Sequence, residues 1–194
     1  MKNNSYLSQD KENFVIVSDG YTKLLNLKTN QETQILDHRL DKIVFSNENC
    51  LSGIYDEFTI FSYDIKNKKS TGELLMNLTK DDKIINISYC KDNFLIIFTK
   101  NGYIYHYKNG HVSTFNDIDH IYTTGSIIYI DLSKDQTFYG VLCQEYCFLI
   151  VNNNQIVHLP DIYFSNNNVL QIRFCPFDNN IFYLLSDKSL LKFK

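Results

Sequence analysis

Histidine, cysteine and carboxylate side chains are the groups in this chain best suited to chemistry, and their spacing limits what they could do. The five histidines are His38, His106, His111, His120 and His158. None forms H-x-x-x-H or HExxH, the spacings that bring two imidazoles to one metal on a helix. His111 and His120 stand nine apart in GHVSTFNDIDH, with Asp117 and Asp119 between them. Those side chains could ligate a metal, but the stretch has the composition of a solvated loop, and a loop is the expectation. Asp81 and Asp82 are adjacent carboxylates in the polar stretch TKDDK. They could act as general acid and base only if the fold buried them and so split their pKa values. No G-x-S-x-G and no P-loop occurs.

The five cysteines include no C-x-x-C pair. Cys143 and Cys147 lie on strand-like runs, where residues four apart share a face at a distance of about 13 Å. That separation excludes one shared metal and a disulfide. Free thiols in a reducing compartment are the expectation. The sequons at Asn77 and Asn86 are then expected to go unused.

The bulk composition points away from nucleic acid and membrane. The net charge is −3, which gives no electrostatic funnel for phosphate. Lys66, Lys68 and Lys69 form the one basic cluster, expected to be a solvated turn. No apolar run approaches the length of a membrane span, and the polar start MKNNSYLSQDKEN lacks an apolar signal core. Fourteen Tyr and fourteen Phe suit strands, while the scarcity of Gly (7) and Pro (2) leaves the turns to Asn and Asp.

A repeat positions these residues. Four stretches share one plan: DKIVFSNENCLSGIYDEFTIFSYD, INISYCKDNFLIIFTKNGYIYHYKNG, IYIDLSKDQTFYGVLCQEYCFLIVNNN and LQIRFCPFDNNIFYLLSDKSLLKFK. In each, an apolar run leads through a polar turn to a second run, and a shorter turn leads to a third. The first turns begin at Ser46, Cys90, Ser133 and Pro176, at intervals of 44, 43 and 43 residues. The second turns, centred on Asp56, Asn101, Gln144 and Asp187, follow at 45, 43 and 43. An earlier copy, with Asp10 and Asp19 at its turns, lacks its opening run. KSTGELLMNL, GHVSTFN and NQIVHLP are each long enough for a fourth strand. No window favours helical over alternating periodicity.

Four short strands every 40 to 45 residues are the signature of a propeller blade. One such sheet cannot bury both faces, so blades must stack. The continuous apolar runs FLIIF (94–98) and IFYLL (181–185) are expected to be buried on both sides, and YIYHY (103–107) to be half exposed. Asp19-Gly20 and Asn101-Gly102 are expected to supply left-handed turn residues. Asp19, Asp56 and Asp187 recur at one place in the repeat, so a structural turn role is expected of them.

The pattern resembles WD40-like propellers over essentially the whole chain. It departs from their signature: there is no Trp-Asp, and Gly110-His111 lies 22 residues before the turn at Ser133. The segment VLQIRFCPFDNNIFYLLSDKSLLKF is similar to the blade of cytoplasmic-face nuclear-pore propeller nucleoporins, through Phe174, Pro176, Ser186, Asp187 and Phe193, and Leu159-Pro160 matches that blade's ending. The resemblance implies a nuclear-pore scaffold, resident in the cytoplasm, in the nucleus or at the nuclear envelope. A generic adaptor is one alternative. Another is a five-bladed glycosidase, which would need a carboxylate pair at the mouth of the ring.

The expected fold is all-β and propeller-like, with about five four-stranded antiparallel blades, the first and last incomplete. Residues 1–12 are read as a flexible segment and 13–194 as one domain. The expected role is non-enzymatic, with protein partners and no cofactor, nucleic acid, membrane span or small-molecule substrate. The candidate partner-binding residues are Ser189, Leu190, Leu191 and Phe193, on a last strand whose neighbour is expected either from another protein or from the strands around Phe14–Leu27.

Overall fold

A computed structural model describes residues 4–8, 10–46, 49–89, 94–101, 103–114, 127–133, 138–143, 148–152, 155–158, 169–175, 177–178 and 181–193. Among them there is no helix, and the fold is all-β. The first sheet holds β1 (Asn4–Leu7), β2 (Asn13–Val17), β3 (Thr22–Asn26) and β4 (Gln31–Leu36). The second holds β5 (Asp41–Phe45), β6 (Cys50–Ile54), β7 (Thr59–Asp64) and β8 (Lys69–Leu75). The third holds β9 (Ile84–Tyr89), β10 (Leu95–Thr99), β11 (Ile104–Lys108) and β12 (His111–Thr114). The fourth holds β13 (Ile127–Leu132), β14 (Phe138–Cys143), β15 (Phe148–Asn152) and β16 (Gln155–His158). The last holds β17 (Val169–Phe174), β18 (Phe182–Ser186) and β19 (Leu190–Phe193). Within every sheet, strands adjacent in sequence are adjacent in space. The opening strands start at Asp41, Ile84, Ile127 and Val169, intervals of 43, 43 and 42 residues, which matches the sequence repeat.

The first sheet is complete, contrary to the expectation of a missing opening strand. Residues 4–7, read from sequence as part of a flexible segment, form β1 and pair with β2 through Ser5↔Ile16 and Tyr6↔Val15. The strand is short and partly exposed, so hydrophobic periodicity barely marks it, and the backbone ladder and the packing of Tyr6 onto the core hold it.

The turns carry the repeat in their hydrogen bonds. Ser8 N–H donates to the Asn13 carbonyl, and Ser8 Oγ accepts from Asn13 N–H, both at 2.9 Å. Ser46 does the same for Cys50, at 2.8 and 3.0 Å. At the second turn, Asp56 Oδ1 accepts from the N–H groups of Phe58 and Thr59, each at 2.7 Å. At the third, Asn26 and Asp64 take the same part, and hydrogen bonds from Asn67 hold the Asp64 carboxyl below its ordinary pKa. Left-handed backbone occurs there at Asn30, Lys68 and Asn109, so Lys66 and Lys68 of the basic cluster lie in a hairpin turn and Lys69 opens β8. Gly20 does not adopt the left-handed conformation expected of it. Gly102 lies outside the described residues.

The chain divides into two compact units, 1–96 and 97–194. In the first, Val15, Val17 and Leu24 of the first sheet pack against Leu51, Phe61 and Tyr63 of the second. Leu40 fills the same core, and the buried Thr22 ties its backbone down: Thr22 Oγ1 donates to the His38 carbonyl at 2.9 Å and accepts from Leu40 N–H at 3.1 Å. The opposite face of the second sheet carries Ser52 and Ser62, whose hydroxyls lie 2.6 Å apart, and Ser52 Oγ lies 2.8 Å from the Tyr89 hydroxyl of β9. The second sheet is therefore covered on both faces. In the run FLIIF, 95–98 are buried as expected, with Thr99 completing a fully buried β10, while Phe94 is only half-buried.

In the second unit, Leu142 packs with Ile172, Phe174, Phe182 and Leu184. Asp131 of β13 accepts from Phe174 N–H at 2.9 Å and lies 3.6 Å from the Arg173 guanidinium, which anchors β17. The approach at Gly140 of β14 is so close that a Cβ there would lie 2.3 Å from Ile172 Cδ1. The run IFYLL does not behave as expected. Its burial alternates, and Leu185 is 40% exposed. One face of β18 carries Phe182 and Leu184 into the core, while the other carries Tyr183 and Leu185 outward.

Gly140→Ala is expected to destabilise the second unit by about 1–3 kcal/mol through overpacking. Ile172→Val, which deletes the clashing methyl, should recover part of that loss in the double variant. Urea midpoints of the two single variants and the double variant measure the coupling.

Candidate functional site

The third strand of the last sheet is built by a serine turn. Ser186 Oγ accepts from the N–H groups of Lys188 (3.2 Å) and Ser189 (2.9 Å), and Ser186 N–H donates to the Ser189 carbonyl at 2.8 Å. These bonds spend the hairpin's polar groups locally and launch β19 in a fixed register, from Leu185↔Leu190 to Phe182↔Phe193. Ser189 belongs to this turn, and the strand begins one residue later.

β19 has one inward and one outward face. Leu191 and Phe193 lean onto the core, with the Phe193 ring stacked on Phe182 at 4.9 Å between centroids and 5° between planes. Leu190 and Lys192 point outward, and Leu190 is 63% exposed. Directly across from Leu190 is the exposed Leu185, so the outward face presents an apolar pair. No residue of β19 is buried, whereas β7, third in its own four-stranded sheet, is buried at four of six positions.

The edges of the sheets differ. β4 and β8, outermost in the first two sheets, meet their neighbours through irregular registers, and β8 also carries Gly72 in a positive-φ conformation. Such kinks blunt an edge against pairing. β12 and β16 keep unbroken registers, as β19 does. Only β19 among these five strands stands third in its sheet.

The other sequence candidates fare differently. Asp82 is buried while Asp81 is exposed, and Asp82 Oδ1 accepts from Lys83 N–H at 2.9 Å, so the two carboxylates do not converge. Asp19 lies on the surface, 3.3 Å from Arg39. His111 begins β12, while Asp117, Asp119 and His120 lie outside the described residues, as do Cys147, Leu159, Pro160 and Pro176. Among the described residues no group of three or more His, Cys, Asp or Glu is placed to hold a metal, and no helix is long and apolar enough to cross a membrane. The anchoring role of Asp131 was missed from sequence, although it stands 43 residues before its partner Phe174, one repeat length away.

No protein-family model matches this chain, and no curated protein matches its sequence.

His106 is half-buried on β11 and its Nε2 is enclosed; burial lowers its pKa from the ordinary imidazole value of 6.5. The unfolded chain thus takes up this proton first as pH falls. The contribution to stability is whole above about pH 6.5 and is lost as pH drops through the lower folded-state value. Urea unfolding near pH 7 and near pH 5 should show a smaller acid loss for His106→Gln than for the wild type.

Proposed function

We propose that this chain is a non-enzymatic scaffold of WD40-like propeller plan, each sheet serving as a blade, and that it works by holding partner proteins. The observation that carries this reading is β19: a strand in the third position of its sheet with no buried residue, an exposed Leu185–Leu190 pair and an unbroken register. Such an edge accepts an extended segment by strand addition, with backbone hydrogen bonds giving affinity and the flanking leucines giving selectivity. Leu190, Leu191 and Phe193 are the strand residues concerned, and Ser189 sets the start of the strand. A segment of a partner protein is the proposed occupant.

The likeness to nuclear-pore propeller nucleoporins supports a place in that assembly. Of the residues that carry it, Phe174 and Phe193 lie in or against the core of the last sheet and Ser186 holds its turn. The blade likeness is thus a likeness of packing and turn chemistry, and the assembly itself is the proposal. Cytoplasmic or nuclear residence goes with it.

Affinity capture of the full chain with mass spectrometry, wild type against Leu190→Lys and Leu191→Pro, tests the edge. Leu190→Lys lies on the surface and should shift stability by no more than about 0.5 kcal/mol. Both variants should lose the same partner. An unchanged set of captured proteins would refute the edge as the site. A tagged copy should mark the nuclear rim, and diffuse cytosolic signal would remove the nuclear-pore part of the reading while leaving the scaffold part standing.

A further inference from the structure

A cavity of about 440 Å³ opens in the first unit between β1, β5 and β9. Its walls come from residues 5–7, 43–45 and 88–89. Successive side chains on a strand point to opposite faces. Consecutive residues line one space where a strand turns its edge to it or where its register shifts, as β5 does between Asp41 and Val44. All three strands are outermost in their sheets, and edge strands present N–H and C=O groups outside the ladder. The cavity is therefore bounded by strand edges as well as by side chains.

The side chains add hydroxyls and rings without charge. Ser5 and Ser88 supply aliphatic hydroxyls, Tyr6 and Tyr89 supply phenols, and Phe45 adds a third ring. The Tyr89 hydroxyl lies 2.8 Å from Ser52 Oγ and donates to Cys50 Sγ at 3.4 Å, with Ser62 2.6 Å behind Ser52. This relay fixes the Tyr89 ring in place before any ligand arrives. Burial, and then the nearby Asp41, raise the Tyr6 pKa, so its phenol stays neutral. Arg39, whose charge reaches the Tyr6 phenol, is bound to Asp41 at 3.1 Å and to Asp19 at 3.3 Å.

Two ligand classes are disfavoured by this lining. A phosphate or carboxylate would meet no lining cation and would sit near Asp41. A purely apolar molecule would strip water from strand-edge groups and hydroxyls without replacing its hydrogen bonds. The volume falls at the small end of ligand pockets, which run from about 300 to 1,000 Å³. We infer that this cavity binds a neutral, polyhydroxylated ring of one or two sugar residues, set against the aromatic rings and hydrogen-bonded to Ser5, Ser88 and the edges of β1, β5 and β9. This site does not depend on the β19 edge or on the scaffold reading.

Saturation-transfer NMR on the full chain tests the site. The probes are glucose, galactose, mannose, N-acetylglucosamine, maltose and cellobiose, with glucose 6-phosphate as the charged control. At least one neutral sugar should bind in the millimolar range or tighter, and the phosphorylated control should bind at least about tenfold more weakly. Ser88→Leu should fill the cavity and weaken binding by at least about tenfold. Ser5→Leu, on an exposed strand position, should do the same with an unperturbed amide spectrum, which covers the case in which the first variant misfolds. Absence of binding by every neutral sugar overturns the inference, as does binding indifferent to both substitutions. A capped neutral peptide that occupies the same residues where no sugar does would overturn the ligand class.

Discussion

The inner strand β6 of the second sheet buries residues on both faces, so both faces of that sheet must be covered. The second sheet shows how the chain meets that constraint. One face turns Leu51, Phe61 and Tyr63 onto the first sheet, and the other turns Ser52 and Ser62 toward Tyr89 of β9. Removing either neighbour would strand a face: apolar side chains on one side, a buried hydroxyl relay on the other. Hydrophobic burial and hydrogen-bond satisfaction both depend on the presence of the next repeat. This is the energetic logic of repeat proteins, in which each unit is stable only through its neighbours.

The same constraint explains why the glycines and the serines sit where they do. Gly140 stands where two sheets approach so closely that a Cβ would press on Ile172 and Phe174, and Gly53 of β6 stands where a Cβ would press on Leu40, which leads into β5, and on Ile43 of β5. Turn serines and aspartates satisfy the backbone groups that hairpins leave over, so few polar groups compete with the packed faces. Where a face or an edge is left over, it is amphipathic. The last sheet covers its inward face with Phe174, Phe182 and Leu184 and leaves Leu185, Leu190 and Lys192 outward. The proposed partner site lies along that outward face and the edge of β19 beside it.

Much of the fold was legible because two turn markers keep one period. The strand ladders, the all-β class and the fourth strands at KSTGELL, HVST and QIVH are written in polar turns and alternating runs. The opening strand was missed, although a signal existed. YLSQD at Tyr6–Asp10 parallels VFSNE at Val44–Glu48, and Ser8 and Ser46 make the same pair of turn bonds. Periodicity could not find β1 because four half-exposed residues carry too little hydrophobic contrast. IFYLL misled in the opposite sense: a continuous apolar run announces a β-strand but not which of its faces is covered, and Leu185 turned out to be exposed. The cavity was invisible from sequence, since it is made by the edges of three strands drawn from three repeats.

Hydrogen exchange at the backbone amides of β19, in the free chain and in complex with its captured partner, tests the central account most directly. The account predicts that the outward-facing amides of residues 190–193 exchange fast in the free chain and become protected in the complex, while β18 changes little. Equal and strong protection of those amides in the free chain, with no change on binding, would contradict it.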